Sequence, residues 1–104
     1  MTDANEHAQR VQSIEQNLQS IGMQKQQFQG QLFEIEGALK EVQNTNTAFK
    51  LIGGIMVQAD KESLQKELES KKEILELRVE TMEKQEEQLQ KKLKSLHEES
   101  QSKE

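Results

Sequence analysis

The chain has 104 residues, of which 32% are apolar and 3% aromatic, with no Pro, Cys, Trp or Tyr. That supply is too thin for a globular core of ordinary size, and the lack of Cys excludes a disulfide framework or a thiolate metal site. A net charge of −5 argues against nucleic acid as the main partner, and no apolar run is long enough for a membrane helix. What remains abundant is Glu, Lys, Gln and Leu, all good helix formers. The composition therefore points to a coiled coil, whose core is a narrow seam rather than a ball. The first residues, MTDANEHAQR, contain no signal-peptide apolar core, and with the missing cysteines this sets the expectation of a cytoplasmic protein.

A first helical arm is predicted from about residue 5 to about residue 44. Val11, Ile14, Leu18, Ile21, Phe28, Leu32, Ile35, Leu39 and Val42 follow alternating steps of three and four, with Lys25 as the one polar residue on the seam. With Val11 at position a of the heptad, Gly30 and Gly37 fall at f, facing water, and Gly22 falls at e on the seam's flank.

The next element, about 47–59, breaks the pattern. In FKLIGGIMV, Phe49 to Val57, β-formers flank Gly53-Gly54, a pair able to take the positive φ angles of a two-residue hairpin turn. Ile52 then faces Ile55, Leu51 faces Met56 and Phe49 faces Gln58. One face carries Ile52, Ile55 and Val57, and the other carries Phe49, Leu51 and Met56. A lone two-stranded hairpin is barely stable in water, and one that is apolar on both sides needs covering. The chain has little left to cover it with, so this hairpin is expected to be an assembly element paired with other chains. The alternative is a loop tucked between the helix ends.

A second arm follows from about 61 to about 100. Leu68, Leu75, Met82, Leu89 and Leu96 recur every seven residues, with Lys72, Val79, Glu86 and Leu93 at the alternate seam positions. Asp60, just before KESLQKEL, is a candidate N-cap. Each arm is roughly 60 Å long at about 1.5 Å per residue, and the matched lengths favour two antiparallel helices folded back on each other. The expected fold is thus mostly α, a long antiparallel two-helix coiled coil joined by one central β-hairpin, as a single domain over 1–104.

Some residues stand outside this scheme. Phe33, Ile74 and Leu77 are apolar but lie off their seams, as a second patch for contact with a neighbouring subunit. A second-arm register displaced by one residue would instead carry Ile74 inward. His7 and His97 are too few for a metal site. No Ser-His-Asp set, phosphate loop or pocketed carboxylate pair is present, so neither an enzyme, a cofactor nor a metal is expected. Val11, Ile14, Leu93 and Leu96 are the last apolar residues before the polar tails. They serve as coiled-coil core and, where the helix ends fray, as contacts for a non-native chain.

The stretches MQKQQFQGQLFEIEGALKEV and AFKLIGGIMVQADKESLQKELESKKEILELRVETMEKQEEQL, with the single hairpin between the arms, resemble the β-type subunits of the prefoldin family and are most similar to the archaeal form. The Phe-Lys-x-Ile-Gly-x-x-x-Val pattern from Phe49 to Val57 is the sharpest part of the match. The resemblance implies a hetero-hexamer of two α-type and four β-type subunits, in which the hairpins join into intersubunit β-barrels and the coiled coils project as tentacles. It implies an ATP-independent chaperone that holds non-native polypeptides near the tentacle tips and delivers them to a group II chaperonin, docking at the distal ends, where Glu98 and Glu99 lie. Neither a nucleic acid nor a membrane is implied as a partner. The competing reading is a structural or adaptor coiled coil that oligomerises through its hairpin and docks one folded partner.

Overall fold

The computed structural model describes residues 2–102, and the side chains of 4–99. In chain order it consists of helix α1 (Thr2–Gln43), strand β1 (Ala48–Ile52), strand β2 (Ile55–Ala59) and helix α2 (Lys61–Ser102). The helices reach further into the polar tails than the seam pattern does. No Pro or Gly lies in either tail to stop them, and the tails are rich in helix-tolerant residues.

Each join between elements has a local cause. After Gln43 the chain turns through NTNT, where the amide of Asn44 donates to the carbonyl of Glu41 at 3.1 Å and the Thr45 hydroxyl donates to the carbonyl of Thr47 at 2.7 Å. The ammonium of Lys61 donates to the carbonyl of Gln43 at 3.3 Å, so the first residue of α2 satisfies an orphan carbonyl at the end of α1. Asp60 caps α2 as expected. Its carboxylate accepts from the Ser63 amide at 3.2 Å and from the Ser63 hydroxyl at 3.0 Å. Gly53 and Gly54 have φ angles of 55° and 82°, a pair of positive values that a tight hairpin turn requires and that side chains with a Cβ resist. The resulting register pairs Ile52 with Ile55, Leu51 with Met56 and Phe49 with Gln58, as read from the sequence.

The chain groups into two compact units. One is Phe28–Arg78, which holds the hairpin and the helical segments that flank it. Leu39, Val42, Ala48 and Leu75 are buried there. Arg78 lies over the ring of Phe28, 5.5 Å from its centroid, a cation–π contact that covers part of this aromatic. Leu75 is only 7% exposed while its neighbour Ile74 is 51% exposed. The second-arm seam therefore runs through Leu75, and the displaced register falls away.

The other unit pairs the segment up to Gln27 with the segment from Val79 onward. Here the two helical segments run antiparallel, with Ile14 buried and Val11, Leu18, Ile21, Met82, Leu89, Leu93 and Leu96 half-buried between them. Lys25 and Glu86, the polar residues of the two seams, meet. The Lys25 Nζ lies 2.7 Å from a Glu86 carboxylate oxygen. This bond holds the Lys25 ammonium above its ordinary pKa. A polar residue on one seam is thus answered by a polar residue of opposite charge on the other, an arrangement that fixes which heights of two helices pair.

Candidate functional site

The hairpin residues expected to drive assembly are all on the surface. Phe49, Leu51, Ile52, Ile55, Met56 and Val57 are between 44% and 70% exposed. Alternation places them on both faces of a ribbon with two strands, so each strand also has one unpaired edge. Only the base of the ribbon is engaged. Ala48 is buried, and Lys50 reaches Glu67 on α2, with its Nζ 2.8 and 3.1 Å from the two carboxylate oxygens. Glu67 also faces Lys71 at 3.6 Å. Hydrogen bonding to Lys50, helped by the charge of Lys71, holds the Glu67 carboxyl below its usual pKa. Lys50 and Glu67 thus tie the hairpin to the first turns of α2 and leave its apolar residues presented to the outside.

Of the residues expected to meet cargo, Val11, Leu93 and Leu96 are half-buried, and Ile14 is 7% exposed. Ile14 and Leu96 come together with Leu89 in a groove of about 400 Å³ that crosses both helices and carries Arg10, Asn17 and Lys92 on its rim. Val11 and Leu93 are not among its lining residues. The sequence reading missed Leu89, Arg10 and Lys92 as members of such a site. It followed apolar spacing along one helix at a time, and a groove needs side chains from both.

Phe33, 78% exposed, and the exposed Ile74 and Leu77 lie off the seams of their helices, where the heptads placed them. His7 is half-buried and His97 is exposed. Among the described residues, no group of three or more His, Cys, Asp or Glu side chains is placed to hold a metal ion. Among the same residues, no helix is long and apolar enough to cross a membrane.

These features define a class: a helical coiled coil with buried seam residues and a hairpin that is tied at its base and exposes its apolar side chains on both faces. The prefoldin subunit family model matches residues 5–103. The crystal structure of the prefoldin beta subunit from Thermococcus strain KS-1 superposes with a TM-score of 0.91 at 32% identity, covering 98% of this chain and 92% of that one. A comparison with curated protein sequences gives no match. The chain belongs to the prefoldin subunit family, in its β-type form. Its function is accordingly of the chaperone type, in a family of non-enzymatic chaperones whose subunits assemble with one another into hetero-oligomers.

Proposed function

We propose that the chain, as a single prefoldin-like domain over residues 1–104, is a subunit of a cytoplasmic, ATP-independent chaperone. It captures non-native proteins at the end of its helix pair, where both termini lie, and delivers them to a group II chaperonin. The partner is an α-type subunit, in a hexamer of two α-type and four β-type chains. The observation that carries this reading is the hairpin: six apolar side chains exposed on both faces of a two-stranded ribbon. Burying one such side chain contributes about 1.5–3 kcal/mol, so joining hairpins of several chains into a barrel is strongly favoured, while the seam of each coiled coil is already closed. Phe33, Ile74 and Leu77, exposed on the same unit as the hairpin, are a secondary contact with a neighbouring subunit.

Assembly at the hairpin leaves Val11, Ile14, Leu93 and Leu96 as the cargo contacts. Where the helix ends fray, each contributes about 1–2 kcal/mol of burial, too little to hold a chain alone. Several tentacles acting on one cargo supply avidity without a deep pocket, and weak contacts let go without nucleotide. The test is a complex lacking residues before Val11 and after Leu89. It should keep its oligomeric mass but lose suppression of aggregation for several unrelated denatured proteins, and lose handover to the chaperonin. Protection at full strength by the truncated complex would move the site elsewhere. A full-length complex that protects none of them would make the chain an adaptor.

A further inference from the structure

We infer that the groove between the two helices near the termini selects its cargo by charge: it takes an apolar polypeptide segment with Asp or Glu beside the apolar residues. This rests on the capture role proposed above and specifies the substrate class. The floor is apolar, built from Ile14, Leu89 and Leu96. Its rim carries two cations, one from each helix, Arg10 and Lys92.

Among the described residues Arg10 and Lys92 are without an ion pair, as Lys40, Lys66 and Lys94 also are; what these two add is that they line one apolar groove together. Elsewhere on α2, Lys71, Lys72, Lys84 and Lys91 each lie within 3.3 to 3.9 Å of a Glu four residues away. Lys25 and Lys50 pair across the fold with Glu86 and Glu67. Among the described residues neither Arg10 nor Lys92 forms an ion pair. For Lys92 the reason is sequence: the positions four residues before and after it are Gln88 and Leu96, whereas its neighbour Lys91 has Glu87. Glu6 lies one turn from Arg10 but does not reach it. In a chain of net charge −5, two uncommitted cations beside an apolar floor form a local positive site.

The chemistry of the occupant follows. An apolar segment can settle on Ile14, Leu89 and Leu96, and a carboxylate beside it can accept charge-assisted hydrogen bonds from the Arg10 guanidinium or the Lys92 ammonium. Asn17 on the rim can pair with the segment's backbone. A segment flanked by Lys meets like charge and is disfavoured. Because both cations are exposed, the gain is modest and falls with salt.

The test uses the assembled complex and three fluorescent peptides with one apolar core, flanked by Glu, Gln or Lys, followed by anisotropy. At low salt the Glu-flanked peptide should bind about three- to ten-fold more tightly than the Gln-flanked one, and the Lys-flanked peptide should bind weakest. The order should collapse at high salt and in the Arg10→Gln/Lys92→Gln variant, where the Glu-flanked peptide should bind no more tightly than the Gln-flanked one. Both positions are on the surface, and helicity measured by circular dichroism checks that the variant is folded. Equal affinity for all three peptides, or a preference that survives in the variant, overturns the charge selectivity while leaving capture intact. No binding of any peptide overturns the capture role and the selectivity with it. A change in the mass of the variant complex would make the groove a subunit contact and also overturn the proposal.

Discussion

The hairpin and the helical seam use the same kinds of side chain to opposite ends. Leu39, Val42 and Leu75 are buried inside the chain, while Leu51, Ile55 and Met56 lie mostly in the open. The difference comes from what each element needs. A helix satisfies its own backbone and asks for one apolar partner, which the antiparallel arm supplies. A two-stranded ribbon leaves one edge of each strand unpaired and, when apolar on both faces, asks for a layer on each side. The chain is therefore complete as a coiled coil and incomplete as a sheet. The chain belongs to a family of hetero-oligomeric chaperones, and in the function proposed above the partner chains complete the sheet.

The strongest way to break the comparison is to charge the hairpin. Leu51→Asp with Ile55→Asp should leave helicity intact and reduce the complex to smaller species, because unpaired carboxylates in an apolar sheet core are prohibitive. Native mass spectrometry of the mixture with an α-type subunit reads the outcome, and a full-sized complex would remove the hairpin from assembly.

A smaller effect separates the two regions by truncation. Leu75→Ala opens a cavity in the seam and should cost about 2–4 kcal/mol in the thermal or urea unfolding of the helices. Leu51→Ala, made on an exposed residue, should shift the helical melt of the unassembled chain little. Equal losses at the two sites would mean that the hairpin is covered within the chain after all.

The smallest effect concerns the two tying ion pairs, Lys25–Glu86 and Lys50–Glu67. Lys25→Glu should lower the melting temperature by placing two carboxylates face to face, and adding Glu86→Lys should recover most of the loss. The signs with pH are opposite for the two pairs. Lys25 titrates above its ordinary value of 10.5, so its contribution is present below that pH and is lost as pH rises through the raised value. Glu67 titrates below its ordinary 4.5, so its contribution is present above that pH and is lost as pH falls through the lowered value. Melts of Lys25→Met and Lys50→Met against the unmodified chain should differ from it steadily between these limits. The Lys25 difference should close as pH rises through the raised Lys25 value, and the Lys50 difference as pH falls through the lowered Glu67 value.

Much of this fold is legible in the sequence because its signals are periodic and local. The three-four spacing from Val11 to Val42 marks the seam, Gly53-Gly54 marks the turn and sets the strand register, and Asp60 marks a helix start. Contacts between distant heights are not legible in this way. Lys25 reads as a flaw in one seam and Glu86 as a weak point in the other, until folding back brings them together. Lys50 reads as part of a motif, since Glu67 lies nearly two helical turns into another element. Ile74 is ambiguous until Leu75 is seen buried. Arg10 and Lys92 carry no pattern of their own, and only the groove shows that these two cations share a site.

The most direct test of the central claim is the solution mass of the chain, alone and mixed with an α-type subunit. A chain that is complete as a coiled coil but incomplete as a sheet should associate through its hairpin and, with the α-type subunit, give one species at the mass of two α-type and four β-type chains. A chain that stays monomeric at all concentrations and ignores the α-type subunit would contradict the account.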